Sequence, residues 1–98
     1  MANFNLNYEG FEGNLIKNRM TRMGGVQYLF KFENNYGASV IKHEGSYGFM
    51  QDLWELAVIK FGASGDWDLC YDTEITCDVE GYLTDEAVRN LLQRIKEL

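Results

Sequence analysis

The sequence predicts an α+β domain in which a four- or five-stranded antiparallel meander carries a C-terminal helix on one face. Two patterns lead there. Alternating apolar and polar residues recur in short runs separated by Asn- and Gly-rich turns, so successive strands pair in order. One apolar stripe at helical spacing closes the chain, and such a helix must lie on a sheet. The 98 residues are enough for one domain, and a 14% aromatic content supplies a packed core rather than disorder.

The first segment alternates Phe4, Leu6 and Tyr8 with Asn3, Asn5 and Asn7, so residues 1–13 read as an extended arm or an edge strand. Leu15 to Met23 has apolar residues at 15, 16, 20 and 23, which suit a short helix, and Gly24-Gly25 ends it. Val26, Tyr28, Phe30 and Phe32 then alternate with Gln27, Leu29, Lys31 and Glu33 in the first clear strand. Asn34-Asn35-Tyr36-Gly37 turns the chain because Asn and Gly tolerate positive φ, and Ala38 to His43 returns. The third strand, 53–61, is apolar on both faces (Leu56 and Val58; Ala57 and Ile59), which predicts a central strand. After Gly62-Ala63-Ser64-Gly65, Trp67, Leu69 and Tyr71 alternate with Asp68, Cys70 and Asp72 in a fourth strand. Thr84 is the expected N-cap of the closing helix, with Asp85 and Glu86 in its first turn. Leu83 and Val88 can form a staple around that cap. Val88, Leu91, Leu92, Ile95 and Leu98 form the stripe. One helix covers one face, so Gln27, Leu29 and Lys31, with Trp54 or Val58, are candidates for an uncovered interface.

Charge is uneven. Residues 1–43 carry a net +2, through Lys17, Arg19, Arg22, Lys31 and Lys42, whereas residues 44–98 carry −8. No Lys or Arg lies between Phe61 and Val88, yet eight carboxylates do: Asp66, Asp68, Asp72, Glu74, Asp78, Glu80, Asp85 and Glu86. Such a surface repels nucleic acid and attracts basic protein surfaces. The short basic run Lys17 to Arg22 is a weak phosphate footprint on an acidic chain, so direct nucleic-acid binding is not expected. Two cysteines, Cys70 and Cys77, fit reduced thiols in a cytoplasm better than a disulfide framework. The first twelve residues have no signal-peptide pattern and no apolar run is long enough to span a membrane, so a cytoplasmic protein without a membrane partner is expected.

Sites of chemistry are sparse. The single histidine, His43, has Ser39 and Ser46 nearby in sequence but no nucleophile motif around them. The cysteine spacing matches no zinc pattern and the acidic run lacks the order of a calcium loop. No phosphate-binding glycine motif occurs. No catalytic residue, metal or cofactor is therefore expected, and binding is the expected role. Asp66, Asp68, Asp72, Glu74, Asp78 and Glu80, with Trp67 as an apolar anchor, are the candidate partner-binding residues. Lys42, His43, Ser46 and Tyr47, around the Gly45–Gly48 loop, are the alternative set for a small ligand such as a nucleotide.

The segments Tyr36-Gly37-Ala38-Ser39-Val40-Ile41, Ser46-Tyr47-Gly48, Leu53-Trp54-Glu55-Leu56-Ala57-Val58, Tyr71-Asp72-Thr73 and Gly81-Tyr82-Leu83-Thr84 carry a resemblance. In this order they resemble small uncharacterised accessory proteins of tailed bacteriophages and prophages, over residues 28–98. The resemblance implies a protein working inside a bacterial host, and it transfers no catalytic residue. Its expected role is to bind and inhibit a host protein with a basic surface, in nucleic-acid processing or antiviral defence. A virion assembly role, with self-association such as a homodimer through an open sheet edge, is the third reading.

Overall fold

A computed structural model of the chain describes residues 3–22, 24–70, 75 and 79–98. These form the strands β1 (Leu15–Met20), β2 (Val26–Lys31), β3 (Tyr36–Lys42), β4 (Trp54–Phe61), β5 (Trp67–Leu69) and β6 (Glu80–Leu83), then the helix α1 (Asp85–Lys96). All strand pairs are antiparallel. β1 to β5 follow one another across the sheet, and β6 pairs with β4. The α+β meander with a C-terminal helix is therefore the observed architecture, with six described strands where the sequence pattern had suggested four or five.

The difference arises at two places. Leu15 to Met20, which suits a short helix by spacing, is a strand instead. Five of its six residues are exposed, so the apparent helical stripe has no core to enter. The open edge of β2 supplies backbone partners instead, from Leu15 opposite Phe30 to Met20 opposite Val26, with a bulge between Leu15 and Lys17. Glu80–Leu83 is too short and mixed to announce itself, and becomes a strand because Trp54 and Leu56 leave an edge open to it. The arm 3–11 joins no sheet, and residues 9–10 turn it with Gly10 at φ 94°.

Even-numbered side chains of β2, β3 and β4 point to one face. Tyr28, Phe30, Ala38, Val40, Trp54, Leu56 and Val58 are all nearly or wholly buried there, beneath Val88, Leu92 and Ile95 of α1. The helix covers β3 and β4. The arm extends the cover over β2: Tyr8 packs on Tyr28 and Phe30 with ring centroids 5.8 and 5.9 Å apart. Leu6 and Phe11 join the same core. Polar ties hold the arm down. The Tyr28 hydroxyl donates to the Phe4 carbonyl at 2.9 Å. Asp85 accepts from Asn7 N, and Arg89 donates to the Asn7 carbonyl.

The helix termini follow the sequence. Thr84 Oγ1 accepts from Ala87 N at 3.1 Å, and Asp85 and Glu86 occupy the first turn. Leu83 packs on the core that contains Val88, as a staple requires. Leu98 lies beyond the helix and is exposed, so the buried stripe ends at Ile95. At that end Asn34 Nδ2 donates to the Ile95 carbonyl at 2.9 Å, which satisfies a helix-end acceptor from the β2–β3 turn. That turn places Asn35 at φ 67°, a conformation Asn tolerates. β4 is central, as its two apolar faces predict: Leu56 and Val58 enter the main core, while Ile59 and Phe61 join Leu29 and Trp67 in a small cluster on the other face.

Candidate functional site

One edge of β4 is occupied by β3 from Glu55 to Lys60. Its other edge is shared. β5 pairs with the end of β4, from Ile59 opposite Leu69 to Phe61 opposite Trp67, and β6 pairs with its beginning, at Trp54 and Leu56. Both run antiparallel to β4 along the same side. They therefore line the same outer edge of β4.

The predicted acidic surface lies along this outer edge. Asp66, Asp68 and Glu80 are exposed. Asp66 sits at the end of a tight turn in which Gly65 takes φ 88° and the Ser64 hydroxyl donates to its carboxylate at 3.3 Å. Asp68 is the strand partner of Lys60. Trp67 is half-buried against Leu29, Ile59 and Phe61, so it anchors the strand to the sheet while Leu69, next to Asp68, is 44% exposed. An open cleft of about 720 Å³ runs beside these residues, lined by Lys60, Phe61, Asp66, Asp68 and Leu69 among others. Asp85 is withdrawn from the surface set, because it accepts from Trp54 Nε1 at 2.7 Å and from Asn7 N. Asp72, Glu74, Asp78 and Cys77 lie outside the described residues.

Two tyrosines extend the edge. Tyr47 and Tyr82 are each 59% exposed. The Tyr47 side chain lies directly on Gly81, where a Cβ would come within 2.5 Å of it, and a Cβ at Gly48 would come within 2.9 Å of the Tyr82 backbone. The loop before β4 and the strand β6 therefore fit through two glycines, and that fit holds both rings outward beside Glu80. Sequence reasoning placed Tyr47 with a small-ligand set and did not single out Tyr82. Its one local signal, the preceding Gly81, becomes readable only when Tyr47 is known to sit there.

The alternative ligand set, Lys42, His43, Ser46 and Tyr47, is dispersed. Lys42 is 2% exposed, and its ammonium donates to the Asn3 carbonyl (2.7 Å), the Asp52 carbonyl (3.0 Å) and Asp52 Oδ1 (2.9 Å). An ammonium has three donors, and all three are used. Its charge also lies 4.2 Å from the centre of the Trp54 ring. Lys42 thus pins the arm and the loop before β4 to the core and has nothing left to offer a ligand, which corrects its place in the set. The cause is strand parity, since residue 42 falls on the core face of β3. Asp52 is held below the ordinary carboxylate range by that hydrogen bond from Lys42, then by the one from the Asn3 backbone, and by the Lys42 charge. Ser46 closes its own turn, donating to the His43 carbonyl at 2.8 Å and accepting from His43 N. It does not reach the His43 ring, whose Nδ1 lies 2.9 Å from the Glu44 carbonyl.

His43 does line a groove, on the sheet face opposite the helix. The expectation for that face holds in part. Gln27, Leu29 and Lys31 share it, but Gln27 and Leu29 are buried and only Lys31 is exposed, and Trp54 and Val58 belong to the core face. The groove encloses about 320 Å³ among Arg19, Gln27, Ser39, Ile41, His43 and Glu55, with further residues at its rim. Arg19 Nε donates to Gln27 Oε1 at 2.7 Å, and Gln27 Nε2 donates to Ser39 Oγ at 2.8 Å. Sequence reading treated Arg19 as part of a basic run and Gln27 as part of a candidate interface, and gave Glu55 no role, because only the strand registers bring them together.

Among the described residues no three His, Cys, Asp or Glu side chains gather as a metal site. No described helix is long and apolar enough to cross a membrane. Compared with known protein families, curated protein sequences and solved structures, the chain matches none.

Proposed function

We propose that the chain is a non-enzymatic protein-binding module that docks a basic partner surface along the outer edge formed by β5 and β6. One observation carries this reading: exposed Asp66, Asp68 and Glu80 lie on or beside the outer strands β5 and β6 together with exposed Leu69 and Tyr82, and with exposed Tyr47 packed on Gly81. Charge at the rim with aromatic and aliphatic anchors is the composition of a protein interface. Charge placement supports it further. Lys17 and Arg19 lie on β1, at the opposite edge of the sheet. Four strand spacings separate the two edges, about 19 Å. That exceeds the screening length of about 8 Å at physiological salt, so the basic edge does not cancel the field of the acidic one.

The resemblance to phage accessory proteins gives the reading its concrete form. The partner is a host protein of nucleic-acid processing or antiviral defence, bound and inhibited in the bacterial cytoplasm. The test is capture from bacterial lysate with wild type and with a variant carrying Asp66→Ser, Asp68→Ser and Glu80→Gln, at low and high salt. A protein held by the wild type at low salt, released at high salt and not held by the variant is the expected result. Equal retention by the variant refutes the edge as the docking surface.

A further inference from the structure

The groove on the sheet face opposite the helix has the parts of a second binding site. Arg19, Gln27, Ile41 and Glu55 are successive register partners, one per strand, across β1 to β4. They form a single row about 14 Å long from the first Cα to the last. Its two ends carry opposite charge. Arg19 and Glu55 make no ion pair, since the one ion pair among the described residues joins Lys42 and Asp52. Between them lie Ile41 and, one row on, Ser39 and Ala57.

At the Arg19 end the donors exceed the acceptors. Gln27 and Ser39 are each 8% exposed, and the Arg19–Gln27–Ser39 relay uses one N–H of the arginine, one of the amide and the hydroxyl oxygen. The second amide hydrogen of Gln27, the hydroxyl hydrogen of Ser39 and the outer guanidinium hydrogens have no partner among the described residues. Gln27 and Ser39 each keep a further donor hydrogen beyond the relay, and the exposed Arg19 guanidinium adds its own, so this end of the groove has donors to spare. At the other end Glu55 Oε1 accepts from Tyr47 N at 2.9 Å, and its second oxygen faces no described donor.

We infer that this groove binds a small two-ended molecule: an oxyanion, carboxylate or phosphate, at Arg19, Gln27 and Ser39, and an N–H donor at Glu55. The apolar middle at Ile41 and Ala57 accommodates a flat or extended body. The groove borders the acidic edge at Leu69 and Val79 but uses none of its carboxylates, so its failure would leave the protein-binding reading intact.

The test is a titration of the isotopically labelled protein followed by amide chemical shifts. Three probes are used at millimolar concentration: guanosine monophosphate, which carries a phosphate and a paired N–H edge; triglycine, which carries a carboxylate and an ammonium; and inorganic phosphate, which has one end only. Saturable shifts confined to Gln27, Ser39, Ile41, His43 and Glu55 are expected with at least one two-ended probe. Which of the two acts tells a nucleotide from an amino-carboxylate. Arg19→Ala and Glu55→Gln should each weaken that probe about tenfold, the loss of one charge-assisted contact. Arg19 is exposed on an edge strand, so the remaining spectrum should be preserved. No shift with either two-ended probe, undiminished binding in Arg19→Ala, or inorganic phosphate binding as tightly as they do overturns the inference.

Discussion

Replacing Asp52 by Asn isolates one charge at the joint that holds the arm to the sheet. Asp52 has φ 61°, and Asn adopts this conformation readily, so the backbone is not perturbed. The side-chain oxygen that accepts from Lys42 and from Asn3 N is also retained. What disappears is the negative charge beside an ammonium that is 2% exposed. Breaking a fully buried pair costs roughly 3–5 kcal/mol. Asp52 is 44% exposed, so water screens its end and the figure falls to about 1–2 kcal/mol. In a chain of this size that lowers Tm by about 5–15 °C at neutral pH. The pH dependence sharpens the test. The Asp52 carboxyl titrates lower in the folded chain than in the unfolded one, chiefly through the Lys42 hydrogen bond. Its stabilisation is therefore fully present above the ordinary aspartate value of roughly 3.9 and is lost as pH falls through the lower folded value. Thermal denaturation of wild type and Asp52→Asn between neutral and acid pH should show a gap at neutral pH that closes in acid. No gap at pH 7, or a gap of constant size into acid, refutes the assignment of the ion pair as the clasp of the arm.

Other substitutions probe neighbouring joints. Trp54→Phe removes the donor to Asp85 and leaves space in the core, and urea denaturation should show a loss of about 2 kcal/mol. Thr84→Ala removes the N-cap acceptor and should lose about 1 kcal/mol in the same assay. Gly37→Ala drives a methyl into the Phe30 carbonyl across the β2–β3 pair, where backbone cannot give way. It should destabilise by about 3 kcal/mol or more, read as a fall in the urea midpoint. The exposed β1 edge should leave the protein monomeric in sedimentation at high concentration, because Lys17, Arg19 and the bulge after Leu15 guard it. A concentration-dependent dimer would instead favour the assembly reading.

Most of the fold was legible because period and turn chemistry agree with burial. The β2–β3 hairpin, the two-faced β4 and the capped helix each have residues that satisfy both the local rule and the core they enter. β1 was not, since its register is set by the neighbouring edge and not by its own residues. The functional surface was legible in charge but not in arrangement. The absence of cations from Phe61 to Val88 marks a surface, and Asp66, Asp68 and Glu80 do lie exposed on one edge. Asp85 carries the same charge in the same run, yet the Trp54 indole 31 residues away turns it into a structural acceptor. Lys42 misleads in the same way. A lysine beside a histidine and a glycine loop reads as a ligand group, until parity turns its side chain into the core.

That parity also explains how the second face of the sheet is divided. Among the described residues the helix and the arm cover one face, and no described helix lies on the other. Near β5 that other face is apolar: Leu29, Ile59, Phe61 and Trp67 cover one another, and Lys31 lies over the Phe61 ring at 5.2 Å. Toward β1 the same face is polar, and Gln27 and Ser39 take positions where Leu or Val would pack as well and bury no donor. An apolar pair there would replace both partners of the Gln27–Ser39 hydrogen bond while keeping the registers of β2 and β3. Gln27→Leu with Ser39→Val should therefore stabilise the protein or leave it unchanged in urea denaturation, while abolishing the chemical-shift response at the groove. If the double variant is strongly destabilised instead, the relay is a structural part of the sheet, and the groove loses the feature that marks it as a site.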